Sequence, residues 1–209
     1  MVGDTGAPGA EAPVRHVVLV GLMGSGKTTV GKKLGKLIGR RFVDADVELE
    51  ARSGRTVADW FEADGEPAFR RAEAELLGSL LAEPEPLVIG AGGGLVVTRP
   101  ARTLLQGPSA AVVYLHAEPA FLATRAKAKP HRPLLTGDPV EVLASMYEAR
   151  DHWYRAVADA VVEVRPAHEA GEKPKWRLAE QVAEALIALH VVDPAEVASA
   201  DVDASEAPR

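Results

Sequence analysis

Short apolar runs alternate along the chain with longer stretches in which apolar positions recur every three or four residues. His16–Val20, Arg41–Asp44, Leu87–Ile89, Ala110–His116 and Ala160–Val164 are of the first kind and predict strands. Lys27–Ile38, Val47–Leu81, Arg99–Leu105, Pro119–Ala126, Val140–Val157 and Arg177–Leu189 carry the helical period, the second broken near Ser53–Gly54 and Asp64–Gly65. Strands that are apolar at nearly every position are covered on both faces. Their alternation with helices predicts a three-layer α/β fold on a doubly wound parallel sheet. Such sheets bind ligands outside the C-terminal ends of their strands, so the residues that follow each apolar run are the ones to inspect for chemistry.

The patterned region, 14–190, reads as one domain. Residues 1–13 are rich in Gly, Ala and Pro and read as a disordered arm; 191–209 are acidic, Ala-rich and free of aromatics and read as a disordered tail. Lys+Arg 24 against Asp+Glu 30 leaves a net charge of −6, which argues against nucleic acid or an anionic membrane as partner. An anionic ligand must then be met by a local basic cluster. The absence of cysteine excludes a thiolate nucleophile and Cys-ligated zinc, and the histidines are too scattered to form a zinc site of their own. With no basic and apolar leader and no run of membrane-spanning length, a cytoplasmic location is expected.

Gly21-Leu22-Met23-Gly24-Ser25-Gly26-Lys27-Thr28 matches the phosphate-loop pattern G-x-x-x-x-G-K-[ST], and it lies between a predicted strand and a predicted helix. There Gly24, Ser25 and Gly26 bring backbone N–H groups around phosphate oxygens, with Thr29 following on the helix. Lys27 adds charge at the β- and γ-phosphates, and the Thr28 hydroxyl is suited to Mg²⁺. A guanine-specific site normally needs an Asn-Lys-x-Asp element, and the chain contains no asparagine. ATP is therefore the expected nucleotide.

A second glycine run, "GAGGGLVV" over Gly90–Val97, follows the predicted strand Leu87–Ile89 and marks either a sharp turn or a place where something approaches the backbone. Asp44 and Asp46 are two apart; if the strand continues through them, both face the phosphate loop, one towards Mg²⁺ and one towards a substrate hydroxyl. The alternative is that they open a helix, with Asp46 as its cap. Arg70 alone reads as a surface residue paired with Glu66 at i−4, and Arg150 as a helix residue between Met146 and Tyr154. Arg132 lies in a polar, Pro-punctuated segment, about 127–139, of the length expected for a lid over phosphates.

Taken together and in order, "GLMGSGKTT", "VDADVELE", "DGEPAFRRAE", "GGG", "RPLL" and "RDHWY" resemble the shikimate kinase family over roughly Val17–Leu189. The resemblance implies a fold of the P-loop NTPase, nucleoside monophosphate kinase type with a lid, and ATP- and Mg²⁺-dependent phosphorylation of the 3-hydroxyl of shikimate on the way to chorismate and the aromatic amino acids. It implies that Arg70 and Arg150 bind the substrate carboxylate, that Asp46 binds a hydroxyl, and that Gly92, Gly93 and Gly94 form a bare wall against the ring. Asp44 and Thr28 fall on the magnesium side, Arg132 at the transferring phosphate and Arg125 on the adenine. Lys27, Asp46 and Arg132 are the expected catalytic set. A monomer is implied too, consistent with the lack of a heptad seam.

Three features depart from the family pattern: Ala45 stands where Thr is common, the Arg165–Trp176 segment is longer, and "KAKPHRP" adds basic charge to the lid. The competing readings are a kinase for gluconate or a nucleotide, and a non-catalytic ATP-binding regulator. Paired arginines beside a glycine wall favour a carboxylate acceptor, and the acceptor set is complete.

Overall fold

The computed structural model describes residues 15–125 and 138–197. The expected arm, Arg132 and most of the expected lid lie outside them. In chain order the elements are β1 (His16–Val20), α1 (Lys27–Leu37), β2 (Arg41–Asp44), α2 (Ala45–Ser53), α3 (Val57–Ala63), α4 (Gly65–Leu80), β3 (Leu87–Gly90), a 3-10 turn (Leu95–Val97), α5 (Arg99–Leu105), β4 (Ala110–His116), α6 (Pro119–Ala123), α7 (Pro139–Val157), β5 (Ala160–Glu163), α8 (Val164–Glu169) and α9 (Pro174–Ala188).

The strands form one parallel sheet in the order β2-β3-β1-β4-β5. Every residue of β1, β3 and β4 is buried, as continuously apolar strands require when helices cover both faces. Helix α1 packs on α9, and α4 on α5. The register sets the site: Asp44 pairs with Gly90 and Gly90 with Leu19, so the second strand, the glycine run and the phosphate loop leave the sheet at one level on its C-terminal edge. The Ala91 N–H donates to the Leu19 carbonyl at 3.0 Å and extends that pairing by one residue.

The long helical stretch after β2 divides into α2, α3 and α4 where the sequence marks its breaks. Gly54 and Gly65 take left-handed φ of 67° and 76°, which an L-residue adopts only under strain. Between them Thr56 and Asp59 form a reciprocal capping box that starts α3.

Four expectations are corrected. The chain turns helical at Ala45, so Asp46 lies in the first turn of α2 and not on an extended strand; Asp44 is the residue that caps this helix, without a side-chain cap bond. The expected strand through Val164 ends at Glu163, and α8 occupies part of what reads as a connecting loop. The expected lid boundary runs into α7, which starts with Asp138 as cap, accepting from Val140 N at 2.9 Å, and Pro139 in its first turn. Finally, packing continues past 190. Val191 and Val192 are buried, and Arg40 donates to the Val191 carbonyl at 2.8 Å and to Glu196 at 3.2 Å. An apolar pair and an acidic partner for a mostly buried guanidinium hold this stretch to the domain, although its composition resembles that of the tail. No helix among the described residues is long and apolar enough to cross a membrane.

Candidate active site

The phosphate loop leaves β1 through Gly21, where a Cβ would sit 2.7 Å from the Leu115 carbonyl oxygen, so only glycine passes. Gly24 and Gly26 take φ of 87° and 99°, curling the chain before α1 begins at Lys27. No side chain caps that helix, and the buried Ser25 hydroxyl has no partner among the described residues. Donors left open at a helix N-terminus suit a phosphate. The Lys27 ammonium folds back over the loop, donating to the carbonyls of Gly21 at 2.7 Å and Leu22 at 3.1 Å. Thr29 follows on α1, half-buried.

The Thr28 hydroxyl donates to Asp44 Oδ2 at 2.7 Å, which joins the loop to the end of β2. A hydroxyl and a carboxylate in contact are hard oxygen donors of the kind Mg²⁺ prefers. Among the described residues no group of three or more acidic or histidine ligands could form a metal cage.

The acceptor side is built around the three glycines, and the missing Cβ atoms show what each faces. At Gly92 a Cβ would meet the Glu73 carboxylate and would lie 2.7 Å from Asp46 Oδ1. At Gly94 it would fall on the Arg70 guanidinium. At Gly93 the nearest atoms are Gly21 O at 3.7 Å and Met23 N at 3.9 Å, both in the phosphate loop. The Gly93 carbonyl accepts from Arg150 Nη1 at 3.3 Å and from the Tyr154 hydroxyl. Asp46, Arg70 and Arg150, carried by α2, α4 and α7, thus converge on one backbone segment that itself abuts the nucleotide loop.

Arg70 is both the surface-type pair and the buried residue. It bonds Glu66 Oε1 through Nε at 3.1 Å and Nη2 at 2.8 Å, and Glu73 Oε2 through Nη1 at 2.6 Å, while it is only 6% exposed. Burial works against its charge, but Glu73 and Glu66 outweigh that and hold its pKa above the ordinary value. Burial pushes the Glu73 carboxyl up to about 7, opposed by Arg70 and reinforced by the neighbouring Asp46 charge.

Sequence reasoning missed Glu73 and Tyr154 as parts of this site. Glu73 carries a usable signal, since it lies three residues after Arg70 on the same helical face. Tyr154 lies four after Arg150, and its stacking on Tyr114, with centroids 4.9 Å apart, explains why its hydroxyl is held at the Gly93 carbonyl. Arg125 lies beside the phosphate loop, with Nε 3.5 Å from the Gly24 carbonyl. Arg132 falls outside the described residues.

The family model "Shikimate kinase" matches residues 23–189. The chain belongs to the shikimate kinase family. It is 43% identical over 182 residues to a shikimate kinase of Caulobacter vibrioides, covering 86% of each chain. To one of Burkholderia thailandensis it is 42% identical over 160 residues, 76% of this chain and 86% of that one. Among solved structures, the shikimate kinase of Acinetobacter baumannii in complex with shikimate aligns with TM-score 0.76 and 32% identity, over 85% of this chain and 95% of that one. A gluconokinase of Sinorhizobium meliloti shares the fold at TM-score 0.51 and 22% identity. That likeness is one of fold, and a shared fold does not by itself name the acceptor.

Proposed function

We propose that the enzyme transfers the γ-phosphoryl group of ATP to the 3-hydroxyl of shikimate, using the acceptor site described above. The supporting observation is the placement of Gly93: its carbonyl accepts from Arg150, and the phosphate loop lies where a side chain would begin, with Gly21 O 3.7 Å from the Cβ position. A ring carboxylate bound by Arg70 and Arg150 against this wall would have a hydroxyl next to the nucleotide. Guanidinium forks fix a carboxylate's orientation and so select one hydroxyl for reaction.

In the transfer, the substrate oxygen forms its bond to phosphorus while the bond from phosphorus to the bridging β–γ oxygen breaks, releasing ADP. Asp46, in contact with the glycine wall, orients the hydroxyl and accepts its proton. Lys27 and the backbone N–H groups of Gly24, Ser25 and Gly26 hold the phosphate oxygens, and Arg132 from the lid joins them. Thr28, directly or through water, and Asp44 would hold Mg²⁺, which would supply positive charge to offset that of the phosphates. Arg125 packs against the adenine. Our reading includes a monomer that works in the cytoplasm, where ATP is supplied.

A coupled ADP-release assay across shikimate, gluconate and the nucleoside monophosphates tests the acceptor. Turnover is expected with shikimate alone, and comparable rates with gluconate would overturn the reading. Asp46→Asn should lower kcat by about 10²-fold or more, in the range for loss of a positioned base, with both KM values and the melting temperature kept.

A further inference from the structure

Helix α8, where the sequence reads as a connection, carries His168 to Arg125. Arg125 Nη1 lies 3.1 Å from His168 Nδ1, and its Nε reaches towards the Gly24 carbonyl at 3.5 Å. Phe121 supports both: its ring centroid is 5.8 Å from the imidazole and 5.4 Å from the guanidinium. A guanidinium has no acceptor, so Nδ1 must be the accepting nitrogen and the imidazole is neutral, with its proton on Nε2. That Nε2 is buried and has no partner among the described residues. A buried donor with no acceptor is costly, and a protonated ring would turn a second N–H against Arg125.

The surroundings agree. Burial first, then the positive charges of Arg125 and Lys175, hold the His168 pKa below the ordinary imidazole value. The acidic neighbour on α8, Glu169, is engaged by Arg165 at 2.6 Å. Arg125 is thus oriented by a neutral ring and by a carbonyl, whereas Arg70 is engaged by the carboxyl groups of Glu66 and Glu73. An arginine held by neutral acceptors keeps its full charge for a ligand.

We propose that His168 is a positioning residue for ATP: as a neutral imidazole it steers Arg125 into place beside the phosphate loop, and when protonated it releases it. The proposal rests on Arg125 serving the nucleotide. It predicts that acid weakens ATP binding through this pair and leaves shikimate binding unaffected by it.

The test is steady-state kinetics of the full chain in both substrates from about pH 8 down to about pH 5.5, a range that spans imidazole titration. Wild type, His168→Asn, His168→Phe and Arg125→Met are compared. Arg125→Met should raise KM for ATP about tenfold at pH 8, with KM for shikimate within about twofold. His168→Phe, which keeps the ring but removes the acceptor, should raise KM for ATP severalfold at every pH. His168→Asn offers an uncharged amide oxygen close to where Nδ1 stood, so KM for ATP should match wild type at pH 8 and rise less on acidification. Protonation of ATP itself affects all four proteins alike, so the readout is the difference between wild type and His168→Asn. Identical pH profiles for these two, with Arg125→Met impaired, would overturn the role of His168 and leave that of Arg125 standing. An unaltered KM for ATP in Arg125→Met would instead overturn the reading of Arg125 on which the proposal rests.

Discussion

Arg150 and Arg70 differ in what they give up to bind an anion. Arg70 is committed to Glu66 and Glu73, whereas Arg150 donates to the neutral Gly93 carbonyl. Arg150 should therefore contribute more to carboxylate affinity. Arg150→Ala is expected to raise KM for shikimate about 10- to 100-fold, the range for one lost charge-assisted pair, while KM for ATP stays within about twofold; substrate titrations measure both. Glu73 supplies a second prediction at this scale. Because burial raises its folded pKa from the ordinary 4.5 to about 7, the native state retains a proton that the unfolded chain releases, so stability falls as pH rises across that window. Glu73→Gln has no such proton to lose, and urea denaturation at about pH 5 and about pH 8 should show the difference from wild type moving in the variant's favour at the higher pH. Asp46, Arg70, Arg150 and the glycines were legible in the sequence because their motifs occur in a fixed order. Tyr154 was not, since a tyrosine on a helix is too common to stand out until packing brings it against Gly93; Glu73 was overlooked although its spacing from Arg70 marks it as a partner.

Element placement was legible wherever apolar periodicity was strong, as in β1, β4 and α9, and wherever glycine forced a break, as at Gly54 and Gly65. It failed at Asp46 and Val164, where a strand passes directly into a helix with no glycine between them; Pro166, in the first turn of α8, is the one mark at the second of these changes. Helix α7 shows what pattern alone cannot reveal, because neighbouring positions on one face do different work: Arg150 and Tyr154 reach Gly93, while Tyr147 and Asp151, on the same face, reach the side chains of β4. His116, whose Nδ1 lies 2.7 Å from Glu163, places Nε2 3.0 Å from the Tyr147 hydroxyl. Asp151 accepts from the Tyr114 hydroxyl at 3.0 Å and from Arg155 at 2.7 Å. Asp151→Ala would leave the Tyr114 hydroxyl without this acceptor at a buried position, which costs about 1–3 kcal/mol. The expected result is that loss in urea denaturation, together with a rise in KM for shikimate that exceeds any change for ATP, because the helix loosened is the one that carries Arg150.

Across the whole molecule, the stability of the sheet is tied to pH through His16, at the start of the central strand. It is fully buried, and its Nδ1 accepts the Leu87 N–H at 3.2 Å, linking β1 to β3 as a neutral ring. Burial, and then the positive charge of Arg40, hold its pKa below 6.5. In the unfolded chain the same imidazole takes up a proton near that ordinary value. The contribution of His16 is therefore complete above about pH 6.5 and is lost as pH falls towards the lowered native value. His168 acts in the same direction, and Glu73 acts in the opposite one across an overlapping range, so a wild-type profile alone would show only their difference. His16→Asn separates them, because its amide oxygen can accept the Leu87 N–H at any pH and it has no proton to gain. Relative to wild type the variant should lose ground at neutral pH, where a smaller side chain leaves unfilled space in the core, and recover it between about pH 6.5 and pH 5, as measured by urea midpoints at matched ionic strength. If the gap between the two proteins stays constant across that range, His16 does not couple the sheet to acid, and the acid sensitivity of the fold must reside in other groups.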